Sequence, residues 1–382
     1  MRAGLGIATR QPGAAAVEDA VEAALAGIGG AKPDAVLVAA SAALGNRALS
    51  ELVARVADGV DCEAWLGASA EGLLLADQEI VGLPGFAVAA LSGIRAELFS
   101  CENLAGREAE AGEEIADQLS ALPEAGDRLI VFVDSLRLAL GPLAGSLGRV
   151  AGPGQAMGFG ASEIPGGAPQ IWGAGDFVEA GCSGLWIRAP RPPEIVVTNG
   201  SRALGEEMEI SRVRGHWVLG LDGGPALPRL CEAAGTRVPS ALTAGTLARL
   251  REPGAANTPG SGVVRNLTGI DPEREGFAVP VVPVEGDRLC FVRMDSVAAR
   301  EDLGIRLAAL DPEPASLGLY FSCRSRGQAL FQHAGLESGY LARALGPAPL
   351  LGMMGAFQLA PNPLGGAPLV HTHSGVFARF AC

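Results

Sequence analysis

The chain has 382 residues, 48% of them hydrophobic and 19% charged, a globular composition with room for about two or three domains. Its 42 acidic against 29 basic side chains give a formal charge of −13, which repels phosphate backbones and anionic lipid and argues against general nucleic-acid or membrane binding. No uncharged run is long enough to insert across a bilayer, and the seven cysteines, odd in number and never in a C-x-x-C pair, read as reduced thiols of a cytoplasmic protein.

The first element is an amphipathic helix over 17–27. Val17, Val21, Ala24, Leu25 and Ile28 share its apolar face, and Glu18, Asp19 and Glu22 interrupt any secretory signal core. An apolar run at 34–41 predicts a buried strand, 48–58 a helix, and "WLGASAEG" at 65–72 a strand end built of small residues. The pattern then recurs. A helix is predicted over 108–122, a strand over 127–134 and a helix over 143–150, with "FGASEIPG" at 159–166; strand and Gly-Ala-Ser both return 93 positions later. Residues 1–190 therefore read as one module with two similar halves, 1–100 and 101–190.

The proline-rich strip "RAPRPPEI" at 188–195 lacks the amide donors a helix or central strand needs and marks a boundary, leaving 191–382 as a second module. There "EIVVTNG" reads as a strand and "HWVLGLDGGPALPRLCEAAG" as strand, turn and helix. Residues 251–262 form a loop of turn formers, and "GFAVPVVPVEGDRLCFVRMD" a hairpin turning at 285–287. "LGLYFSC" and "APLLGMMGAF" are buried strands flanking a helix, and "PLVHTHSGVFARF" is a final strand. The expected fold is α/β, with mixed sheets sandwiched by helices.

Few stretches carry chemistry. Ser69 invites a nucleophile reading, but Glu71 stands where a nucleophile elbow needs its second glycine, and all four histidines lie in the second module. The echo at Ser162 favours a shared geometric need for small residues at a strand end. Glu71 and Glu163, each following Gly-Ala-Ser, could face one cleft as a recognising or acid/base pair, or sit exposed on loops. Cys323 ends an apolar strand and is followed by Arg324 and Arg326. Guanidinium neighbours favour a thiolate and can grip a carboxylate by a bidentate fork; the alternative is a small buried residue beside solvated arginines. His371 and His373 fall on one face of a strand, spaced for a metal ion but without a third or fourth ligand, so no metal is expected. "GFGASE" and "GAGDFV" lack the later glycine of a phosphate loop, and no cofactor is expected either.

Taken together, "LGASAEG", "LDGGPALPRL", "LYFSCRSRG", "PLLGMMGAFQLAP" and "LVHTHSGVFAR", in that order across nearly the whole chain, resemble the FIST family, with an N-terminal module followed by a C-terminal one. The N-terminal pattern begins almost at Met1, so the bacterial type without an F-box is expected. The resemblance implies a sensory or signal-transduction protein binding a small polar metabolite, such as an amino acid or a related compound, at the cleft between modules. Ser69, Glu71 and Ser162 would line one side, and Cys323, Arg324, Arg326, Gln358 and His371 the other. Relatives commonly carry Gly-Glu where this chain has Phe357-Gln358, which removes a negative charge and changes what could be recognised there. Two alternatives stay open: a hydrolase using Cys323 or Ser69 as nucleophile with a histidine brought in by folding, and an interaction module that docks on a signalling partner without a ligand.

Overall fold

The apolar run at 34–41 folds into the strand Ala35–Ser41, buried along its whole length. It pairs in parallel with Trp65–Ala70 and antiparallel with Gly85–Ser92, which pairs antiparallel with Arg2–Thr9. Helices Ala14–Gly27 and Gly45–Gly59 pack Val17, Val21, Leu49 and Val53 onto one face of this sheet. In this computed structural model residues 1–9, 13–76, 78–152, 155–253, 255 and 262–382 are described; most of the loop predicted at 251–262 lies outside them.

The second half repeats the arrangement. Arg95–Cys101, Cys182–Arg188, Arg128–Val133 and Ala156–Gly160 stand side by side with the same antiparallel, antiparallel and parallel pairings. Helices Ala111–Gln118 and Leu140–Ala151 cover it. A third copy then appears that sequence reading does not find. Glu194–Thr198 lies beside Gly375–Ala381, which pairs antiparallel with Ala315–Cys323, itself parallel to Leu350–Gly355. The helix Leu336–Leu345 joins the parallel pair, as Gly45–Gly59 and Leu140–Ala151 do in the other copies.

The copies exchange hairpins. Gly72–Leu75 and Gln78–Val81 leave the first copy and extend the third sheet, Leu73 facing Met353. Ile171–Gly173 leaves the second copy and extends the first, Ile171 facing Ala68. Gln358–Ala360 leaves the third and extends the second, Gln358 facing Phe159. Equivalent inward residues of the three sheets build one central core: Leu37, Ile130 and Leu319, then Ala39, Phe132 and Phe321. The rings of Phe132, Phe159 and Phe321 meet there with centroids 4.9–6.0 Å apart.

The chain forms two compact units: a larger one of Met1–Val197, Gly304–Val370 and Gly375–Cys382, and a smaller one of Thr198–Leu303 with His371–Ser374. Among the described residues the smaller unit holds a nine-stranded sheet whose core includes Leu221, Leu230, Phe277 and Phe291. Two expectations fail here. Gly276–Ala278 and Arg288–Met294 are not a hairpin: the first pairs with Trp217–Leu221, the second with Leu247–Arg251, because the prolines between them cannot donate to a shared ladder. The final strand is also two, Leu369–His371 and Gly375–Ala381, broken where His373 takes a positive φ of 58°.

Candidate functional site

The strand ends that drew attention in the sequence converge where the three sheets meet. Ser162 N donates to the Ser69 carbonyl at 2.9 Å, Ala356 N to the Gly160 carbonyl at 3.1 Å, and Glu71 N to the Met354 carbonyl at 2.9 Å. This closed ring makes Ser69, Gly160 and Met354 equivalent, and likewise Glu71, Ser162 and Ala356. The two Gly-Ala-Ser motifs therefore lie two residues out of spatial register, since Val36 faces Trp65 whereas its counterpart Leu129 faces Ala156, a shorter separation. Glu71 and Glu163 do not occupy equivalent places.

The serine hydroxyls belong to the ring's scaffold. Ser69 Oγ donates to the Ser162 carbonyl at 2.6 Å and accepts from Gln170 N at 2.9 Å, and Ser162 Oγ donates to the Met354 carbonyl at 3.3 Å. The small neighbours have a steric reason: a Cβ on Gly67 would sit 2.1 Å from the Trp172 indole, and one on Gly160 2.4 Å from the Phe357 ring. Glu71 is half-buried beside this ring. No imidazole is among the partners of the Ser69 hydroxyl or the Cys323 thiol; Cys323 is buried and its Sγ accepts from Ser325 Oγ at 3.2 Å.

Arg324 is exposed, its amide donating to the Gly355 carbonyl at 3.0 Å. Arg326 is fully buried, and its carboxylate partner comes from within the protein. Its Nε donates to Glu337 Oε1 at 2.7 Å, with both side chains at 0% exposure. Tyr320 Oη donates to the same oxygen at 2.5 Å, and Ser322 Oγ and Gly327 N reach Glu337 Oε2 at 3.3 Å. Burial pushes the Tyr320 phenol well above its ordinary range. At these outward positions the first two copies have Val38 and Val131, then Ala40 and Val133, so the third copy replaces aliphatic packing by an ionic network. Glu79, from the first copy's hairpin, accepts from Ser338 N at 3.1 Å; burial, with the nearby Glu337 charge a lesser cause, raises its pKa.

Gln358 is the anomaly. It occupies the inward place held by Leu73 and Ile171 in the other hairpins, next to Phe159 and at 0% exposure. Neither its amide nitrogen nor its amide oxygen has a hydrogen-bond partner among the described residues. Leaving such a group unmade costs about 1–3 kcal/mol.

His371 falls in the smaller unit, buried, while His373 leaves the strand and bonds Asn266 Oδ1 through Nε2 at 3.0 Å. The two imidazoles do not share a strand face. Among the described residues no three His, Cys, Asp or Glu side chains gather in a way that could hold a metal ion. An open groove of about 840 Å³ also lies in the smaller unit, lined by Leu227, Cys231, Arg237, Leu242, Ile270 and Glu275, none of them a candidate site residue of the sequence. No helix of the described residues is long and apolar enough to cross a membrane, and all seven cysteines are free.

Comparison with known proteins supplies the family context. A model described as the FIST N domain matches residues 34–224, and one described as the FIST C domain matches 226–361. The chain is 26% identical over 396 residues to the uncharacterized protein Rv0628c of Mycobacterium tuberculosis (strain H37Rv), covering 100% of each. It is 25% identical over 399 residues to the uncharacterized protein Mb0898c of Mycobacterium bovis, covering 100% of this chain and 99% of that one.

Proposed function

The chain belongs to the FIST family, whose domains are generally considered sensory or signal-transduction modules, and we propose that it is a cytoplasmic sensor that binds a small polar metabolite and passes the signal to a protein partner. The observation that carries this reading is Gln358. A chain that builds the same inward position three times uses Leu73 and Ile171 twice and an unpartnered amide once. An aliphatic side chain would satisfy packing there, so the amide is best explained by something it recognises. A primary amide offers two donors and an acceptor of two lone pairs, suited to a polar uncharged group rather than to the cation that a glutamate would select. Ser69, Glu71, Ser162, Cys323 and Arg324 frame the same convergence of sheets, while Arg326 holds it through Glu337.

The test is a melting-temperature screen of the full chain against amino acids and related metabolites, repeated with Gln358→Leu. Binding to the native state alone raises the midpoint with concentration. A compound that stabilises the wild type and not the variant supports the reading; no response from wild type across the library, or equal responses from both, overturns it.

A further inference from the structure

The open groove of the smaller unit runs along one stripe of a helix. Ala226–Ala234 presents Leu227, Pro228, Cys231 and Glu232 to it, the i, i+1, i+4 and i+5 spacing of a helical face. Leu242 of the helix Pro239–Gly245 and Ile270 of the strand Gly269–Asp271 complete the apolar lining. The Leu227 amide donates to the Glu275 carbonyl at 2.8 Å, which holds Glu275 at the start of the helix, whereas Arg237 lies beyond its end. The nine residues between them, at about 1.5 Å of rise each, set these two lining charges roughly 13 Å apart along the groove.

Shape and charge narrow what fits. Leu227, Cys231 and Ile270 are half-buried and Pro228, Pro239 and Pro272 exposed, so the groove does not enclose a small molecule, whose pockets cover most of its surface. The strand Gly269–Asp271, at the edge of its sheet, offers only three residues for an extended segment to pair with. Arg229 and Arg274 have ion-pair partners, Glu232 at 3.8 Å and Asp271 at 3.5 Å, while the exposed Arg237 and Glu275 form no ion pair among the described residues. The helix therefore ends beside an unmatched cation and begins beside an unmatched anion. An antiparallel helix suits this order: its first turn favours acidic side chains, which meet Arg237, and its last turn basic ones, which meet Glu275. A second copy would bring the same two charges in matching order, but it sets hollow against hollow and leaves the groove unfilled.

We infer that this groove docks a short amphipathic helix of a partner protein, antiparallel to Ala226–Ala234. Acidic side chains of its first turn meet Arg237, apolar ones at helical spacing cover Leu227, Cys231 and Ile270, and basic ones of its last turn meet Glu275. The inference rests on the sensory reading and names the chemistry of the partner for it. It puts the output surface on the smaller unit.

The experiment titrates labelled, end-capped peptides of about twelve residues with the full-length protein and follows fluorescence anisotropy. One set carries acidic residues in the first turn, leucine, methionine or phenylalanine at i, i+4 and i+7, and arginines in the last turn; a second set has the charges exchanged. Saturable binding of the first set is expected. Arg237→Glu and Glu275→Arg should each weaken it about three- to tenfold, the swing from an exposed attraction to an exposed repulsion, and the double variant should prefer the second set. Bound peptide should slow alkylation of Cys231, read by mass spectrometry, and leave that of the exposed Cys382 unchanged. No saturable binding by either set, equal affinity for both sets, unchanged affinity in both single variants, or an unprotected Cys231 would each overturn the inference. So would a dimer in sedimentation that Arg237→Glu dissociates, which assigns the groove to a second copy, or a metabolite whose stabilising effect Arg237→Glu abolishes. A metabolite that stabilises the wild type through Gln358 while no peptide binds leaves the sensory reading standing and removes this inference alone.

Discussion

Replacing Glu337 by glutamine tests whether the third copy's ionic network holds its sheet to its helix. Glu337 receives Tyr320 Oη and Arg326 Nε on one oxygen at 2.5 and 2.7 Å, and Arg326 shares its 0% exposure. The variant keeps the shape and an acceptor oxygen but strands a buried guanidinium without its counter-charge. Removing one member of a buried pair costs roughly 3–5 kcal/mol. Because glutamine retains part of the hydrogen bonding, a loss of about 3 kcal/mol is expected. The assay is equilibrium urea unfolding followed by tryptophan fluorescence, to which Trp65, Trp172 and Trp186 of the larger unit contribute. A companion variant, Tyr320→Val with Arg326→Met and Glu337→Leu, restores the aliphatic packing of the other copies and should recover most of the loss, since apolar replacement of a whole buried pair is often neutral or stabilising. A Glu337→Gln midpoint shift worth less than about 1 kcal/mol at unchanged m-value would refute the reasoning.

Other substitutions address the ring, the core and pH. Ser69→Ala strands the Gln170 amide and should cost about 1–3 kcal/mol of stability in the same unfolding assay, with no specific chemical reactivity lost. Gly160→Ala places a methyl 2.4 Å from a buried aromatic ring and should cost about 1–3 kcal/mol, read as a lowered melting temperature. Gln358→Leu should stabilise the ligand-free protein by about 1–3 kcal/mol while removing its response to metabolite, a trade that calorimetry with and without ligand would expose. For His371, the folded-state pKa of about 3 lies below the ordinary 6.5, so the unfolded chain takes up a proton that the native state refuses. Its contribution is present in full above pH 6.5 and is lost as pH falls toward 3, at up to about 1.4 kcal/mol per pH unit. His371→Gln should flatten the stability profile between about pH 4.5 and 6 by one proton, and an unchanged slope would contradict the burial argument.

The first two copies were legible because strand, helix and small-residue strand end return at one interval with nothing inserted between them. The third was hidden by Thr198–Leu303, which separates Glu194–Thr198 from Ala315–Cys323 and destroys the interval. It was also hidden by chemistry: Tyr320 and Ser322 stand where valine and alanine patterned the others. Even the visible repeat misled in detail, since identical triplets at 67 and 160 sit two residues apart in the sheets' own register. Cys323 stands out in the sequence at an apolar strand end, Gln358 by replacing the glutamate common in relatives, and His371 by its spacing from His373. The carboxylate expected for Arg326 existed, but on the neighbouring helix.

The reciprocal lending of hairpins has a consequence for how the molecule is made. Gly72–Leu75 leaves the ribosome long before its partner, Leu350–Gly355, does. Until Gly375–Ala381 emerges, the third sheet lacks an interior strand and the nascent chain presents unpaired strand edges. Expression of residues 1–190 alone should therefore yield an aggregating fragment rather than an independent domain.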